Sequence, residues 1–115
     1  MRRGQVRIAD LGPPTGTEAA HRRPVVVVSN DGANTSAARL GRGVVTVVPL
    51  TTNTAHIRPF QVFFAAADTG LRHDSKAHGE QVRSIAVQRI GGIVGTVPLD
   101  LMTRLDDALR LHLDL

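Results

Sequence analysis

Two runs of β-branched residues, Val25–Val28 and Val44–Val48, limit what this chain can fold into more than any other feature. Such residues are stiff at χ1 and crowd a helix, but they suit a pleated strand buried on both faces. The other apolar stretches are just as short. Val6–Leu11 opens as an apolar–polar alternation, and Val62–Phe64 follows shortly after Pro59. Gln81–Val87 alternates cleanly, with Val82, Ser84 and Ala86 opposite Arg83, Ile85 and Val87, while Ile90–Val94 is a strand weakened by glycine. Between these runs, Gly12 to about Arg23, Ser29–Gly43 and Asp68–Glu80 are rich in turn formers and small polar residues and read as loops. Pro49 reads as the stop of the third strand. None of these connections carries the helical period that parallel strands need in a crossover, so antiparallel pairing is expected. The period changes only at the C-terminus. There Leu101, Met102, Leu105, Ala108, Leu109 and Leu113 share one helical face, with Pro98 in the first turn and Asp100 complementing the dipole. The expected class is mainly β, an antiparallel sheet closed by one helix, in a single domain over residues 1–115.

Composition removes several kinds of chemistry. With 42% hydrophobic and 21% charged residues the chain is globular rather than disordered. No apolar run spans a bilayer, and "MRRGQVRIADL" lacks the hydrophobic stretch of a signal peptide, so a cytoplasmic location is expected. The absence of cysteine excludes disulfides, thiolate nucleophiles and cysteine-based zinc sites. His73 and His78 lie five apart around Asp74, but no histidine pair has the spacing of a zinc-hydrolase helix, so no metal is expected. Gly41–Gly43 and Gly91–Gly95 do not match phosphate-loop patterns, and no serine sits in a nucleophile elbow. The basic residues are 13 Arg against one Lys, with a net charge of +4. That leans towards an anionic partner, although a GC-rich coding sequence would also favour arginine. Three Phe and no Trp or Tyr leave no aromatic platform for stacking bases.

What remains is a set of polar residues at strand ends. Glu18 and Arg23 bracket the start of the second strand, Thr51 and Thr52 follow Pro49, and Gln81, Arg83 and Ser84 belong to a later strand. Taken singly, Glu18 and Arg23 are equally compatible with a surface ion pair, and Thr51 with an ordinary turn.

Together these segments resemble the MazF/PemK family of toxin endoribonucleases over nearly the whole chain. "RGQVRIADL" is similar to the family's Arg-Gly-x-Val opening strand and its Asp-Leu ending. "PPTGTEAAHRRPVVVVSND" resembles the pattern Pro-x-x-Gly-Ser-Glu, then five residues on to Arg-Pro and an apolar strand. "VVTVVPLTTNT" carries the Pro-x-Thr-Thr/Ser step, "EQVRSIAVQRI" the Gln-Val-Arg-Ser-Ile strand, and "LDDALRLHLDL" the closing helix. Departures occur at Arg7, where the family is usually aromatic, at Ala19, where Gln often follows the motif glutamate, and at Thr17, where Ser is common.

The resemblance implies a small SH3-like, partly open antiparallel barrel of the CcdB/MazF kind, forming a symmetric homodimer. It implies metal-independent, sequence-selective cleavage of single-stranded RNA (mRNA, with rRNA or tRNA as further candidates) to 2′,3′-cyclic phosphate and 5′-hydroxyl ends. It also implies inhibition by an acidic, MazE-like antitoxin. By motif position, Arg23 and Thr51 are the catalytic pair, and Glu18 matches a site acid. Thr17, Thr52, Asn53, Gln81, Arg83 and Ser84 match positions along the RNA path. A guanidinium can stabilise a phosphorane's charge but is a poor proton acceptor, so Glu18 is the more orthodox base. Base selectivity is expected from Ser29–Gly43 and Asp68–Glu80, with Arg39, Arg42 and Arg72 as stacking planes or backbone contacts. The alternative on the same fold is a CcdB-like gyrase-binding poison without ribonuclease activity.

Overall fold

The computed structural model covers residues 1–115. It contains seven strands: β1 (Gln5–Asp10), β2 (Arg22–Val27), β3 (Val44–Thr51), β4 (Gln61–Phe64), β5 (Ser75–His78), β6 (Arg83–Ala86) and β7 (Ile90–Thr96). Three helices accompany them: α1 (Asp31–Leu40), the single turn α2 (Ala66–Thr69) and the closing α3 (Leu99–Leu113). Every strand pair is antiparallel, in the order β4-β5-β3-β2-β1-β7, with β6 joining β3 as a branch.

The valine runs pack as their pattern demands. Successive Cβ atoms on a strand point to opposite faces, so a strand buried on both faces needs no polar positions. Val25 enters one core with Ala9, Leu11, Ala19, Ala37, Val45, Val47 and Ile85, beneath α1 and the β1–β2 loop. Val26 enters the other, with Val6, Val48, Leu50, Phe64 and the Leu101, Met102, Leu105 and Ala108 face of α3. Leu109 packs partly against this second core, but Leu113 does not follow the stripe and is exposed, because the helix outruns the sheet beneath it.

Three expectations are corrected. Ser29–Gly43 is not a loop but mostly α1. Asn30 caps it by accepting from the Ala33 amide at 2.8 Å, and Gly41 closes it in the left-handed region at φ 65°. The "SNDG" that suggests a turn is therefore a helix start. The segment Asp68–Glu80 contains the end of α2 and all of β5, whose polar "SKAH" is held as a strand by β3 on one side and β4 on the other. Finally, β3 does not stop at Pro49 but runs on to Thr51. On the flank away from β2, β3 pairs with β6 up to Val47 and with β5 from Leu50, so Pro49 sits where neither neighbour asks for an N–H.

Leu105 is fully buried where α3 meets the sheet. Leu105→Ala is expected to lower unfolding free energy by about 2–5 kcal/mol in urea titrations. A loss below about 1 kcal/mol would contradict this packing.

Candidate active site

Arg23 and Thr51 reach one place because β2 and β3 are neighbours. Val25 pairs with Pro49, and the same register carried two residues further sets Arg23 opposite Thr51. Both line a hollow of about 220 Å³ with Pro24, Leu50, Thr52 and Ser75. Arg23 makes no ion pair with Glu18 or any other carboxylate. Its Nε instead donates to the Ala20 carbonyl at 3.1 Å, which fixes the guanidinium while its terminal nitrogens stay unpaired. Thr51 lies at the last position of β3. Its Oγ1 accepts from the Asn53 amide at 3.3 Å, and Asn53 Oδ1 accepts from the Ala55 amide at 3.3 Å, so the Thr-Thr-Asn-Thr sequence builds its own turns.

This hollow opens into a larger one of about 490 Å³, with Pro24, Thr52 and Ser75 common to both. Ile8, Leu71 and Val94 make its floor apolar, and Arg72 and His73 stand at its polar side. Arg72 is thus the one loop arginine of the three expected to frame a groove that does so. Arg39 is in the last turn of α1, and Arg42, just past its Gly41 cap, lines a separate hollow with Ala37 and Val44.

The remaining residues fall into two other settings. Glu18, Gln81 and Arg83 line a further hollow of about 260 Å³ with Glu80. Gln81 is committed to the β1–β2 loop, accepting from the Ala19 amide and donating to the Thr17 carbonyl at 3.1 Å. Arg83 donates to the Leu11 carbonyl at 3.4 Å. Glu18 has no ionic partner, and Thr17 meets Gln81 through its backbone. Ser84 stands apart, exposed and 3.1 Å from the Thr46 hydroxyl across the β3–β6 pair, roughly 16 Å along β3 from Thr51. His78 is held by Glu80 at 2.7 Å, while His73 faces the groove, so the two do not converge.

Leu71, His73 and Ser75 fall within Asp68–Glu80, the segment expected to frame a groove, whereas nothing in the sequence marks Ile8, Pro24 and Val94 as groove residues. They come from separate segments, and only the sheet order joins them.

Residues 2–113 match the family described as the PemK-like, MazF-like toxin of type II toxin–antitoxin systems. The chain belongs to this family. Endoribonuclease MazF9 of Mycobacterium tuberculosis (strain ATCC 25618 / H37Rv) is 55% identical over 115 residues, covering 100% of this chain and 98% of that protein. Endoribonuclease EndoA of Bacillus subtilis (strain 168) is 31% identical, covering 100% and 96%. Among solved structures, a mycobacterial endoribonuclease in complex with its cognate antitoxin superposes with a TM-score of 0.78 at 26% identity, over 100% of this chain and 96% of that one. The Deinococcus radiodurans MazF gives 0.80 at 21% identity, over 100% and 97%, a likeness of fold. None of the departures from the MazF/PemK pattern lines the Arg23–Thr51 hollow. Arg7 donates to the Gly91 carbonyl at 2.9 Å, and Ala19 packs from the β1–β2 loop into the core beneath α1.

Gln81→Leu keeps the side chain's bulk but removes both bonds to the loop. Amide exchange at Ala19 is expected to speed up by about tenfold, while Val25 and Val47 keep their protection. An unchanged Ala19 rate would show that the loop does not depend on Gln81.

Proposed function

We propose that this protein is the toxin of a type II toxin–antitoxin pair and cuts single-stranded RNA through the substrate's own 2′-hydroxyl. The observation that carries the reading is Arg23, with its Nε occupied by the Ala20 carbonyl, no carboxylate partner, and Thr51 in the same hollow. Family membership and the names of the relatives point the same way, and the gyrase-poison alternative is not favoured. The expected setting is a cytoplasmic homodimer held inactive by an acidic, MazE-like antitoxin, which would suit a chain of net charge +4. No helix is long and apolar enough to cross a membrane.

In this mechanism the scissile phosphate sits in the smaller hollow. The free nitrogens of Arg23 take the charge that develops on the phosphorane, and the Thr51 hydroxyl donates to a phosphate oxygen. Thr52 and Asn53 continue the backbone path along the β3–β4 loop. A neighbouring base lies on the apolar floor of Ile8, Leu71 and Val94, where aliphatic side chains replace aromatic stacking and Arg72 covers it. Glu18 is assigned the proton transfer; its unpaired carboxylate lines a separate hollow with Gln81 and Arg83, so the step requires the β1–β2 loop to bring it to the phosphate. Gln81 and Arg83 serve the RNA path chiefly by holding that loop.

Incubating the protein with a long RNA in EDTA is expected to give discrete cuts with 2′,3′-cyclic phosphate and 5′-hydroxyl ends. Intact RNA together with blocked gyrase supercoiling would overturn the reading. Arg23→Ala should lower the single-turnover rate by about 10²–10³-fold. Arg72→Ala is expected to redistribute cleavage among sites with a smaller loss of rate. An unaltered site pattern would remove Arg72 from base selection.

A further inference from the structure

Lys76 is the only lysine beside 13 arginines, and it is buried, with 8% of its surface exposed. It pairs with Thr51 across β3–β5 and with Phe63 across β4–β5. Directly opposed residues of antiparallel strands project to the same face, so Lys76 stands beside Thr51. Leu50, Val62 and Ala77, one position along each strand, project the other way into the α3 core. An outward-facing lysine on such a sheet would normally be solvated. Here the Thr52–Phe60 loop covers it, and Nζ donates to the His56 carbonyl at 2.6 Å.

We infer that Lys76 is a positioning residue: its ammonium pins the β3–β4 loop back onto the strand that carries Thr51. This rests on the nuclease reading above. The loop holds Thr52 and Asn53, and its bonds to Thr51, Asn53 and Gln61 are otherwise local in sequence or lie at its ends. A buried ammonium is a costly way to fill space, and an aliphatic residue would pack there without losing hydration. Its single strong acceptor is a loop carbonyl, which ties the loop's middle to β5. The residue is buried and its ammonium is taken up by a loop carbonyl, so Lys76 acts through the loop rather than by touching phosphate.

The test compares wild type with Lys76→Met, below the melting temperature of both. The variant's kcat for RNA cleavage is expected to fall about tenfold or more, with KM changed by less than about threefold, because the apolar lining residues Ile8, Leu71 and Val94 lie outside the loop. The dependence of kcat/KM on salt should keep its slope. A slope reduced by about 1 would make Lys76 a direct phosphate contact and overturn the positioning role. So would an unchanged kcat in the variant. A wild type that cuts no RNA would instead sink the nuclease reading. If Lys76→Met fails to fold, the wild type still decides. Labelling with ¹⁵N-lysine gives a single side-chain signal, and a protected, slowly exchanging ammonium is expected at neutral pH. A freely exchanging one would overturn the proposal.

Discussion

The pairing of β3 with different partners along its length is the constraint on which the rest of the molecule depends. Along one flank it meets β2. Along the other it meets β6 over Val44–Val47 and β5 over Leu50–Thr51. The change of partner falls at Val48–Pro49, where a proline costs no ladder bond on that side. The interior residues of β3 also alternate between the two cores, Val45 and Val47 entering one and Val48 and Leu50 the other, which is why valine dominates it. Its last residue is then delivered between Arg23 on β2 and Lys76 on β5. The chemistry proposed at Thr51 is thus a consequence of where one strand exchanges neighbours, not of a local motif.

A second regularity concerns how the cations are held. Arg7, Arg23, Arg83 and Arg89 each donate to a backbone carbonyl, and so does Lys76. The ion pairs lie elsewhere, at Arg2, Arg3, His78 and Arg110. A carbonyl orients a guanidinium but leaves its charge intact, whereas a carboxylate would neutralise it. The positive charge around the grooves therefore remains available to an anionic strand, and several arginines are already immobilised before it arrives.

The strands were legible where burial on both faces forces a composition, as at Val25–Val28, and α3 was legible because a helix on a sheet needs one continuous stripe. What stayed hidden depends on contacts between distant segments. The helix α1 buries little beyond Ala37 and Asn34, so its sequence carries the marks of its cap rather than of an apolar face. The strand β5 has no apolar alternation because Lys76 is covered by a loop and Ser75 faces a hollow. At the site, Arg23 and Thr51 were accessible through a family pattern and are joined here by register. The apolar groove was accessible only through Leu71, in a segment expected to frame one, since Ile8 and Val94 are ordinary strand residues until the sheet order assembles them.

The β1–β2 loop is where the two kinds of residue become coupled. Arg23 holds its Ala20 carbonyl, Gln81 holds Thr17 and Ala19, and Arg83 holds Leu11. Glu18 rides between these attachments with a free carboxylate, so its reach towards the Arg23–Thr51 hollow is set by side chains on β2 and around β6. Gln81 spends one of its two amide donors and one acceptor site on loop backbone, so the loop sets the orientation of its side chain before any RNA base arrives. A substitution at Gln81 or Arg83 that weakens cleavage therefore reports first on where the loop puts Glu18. Loss of an RNA contact at those positions is separable from that effect only when the position of the loop is measured independently.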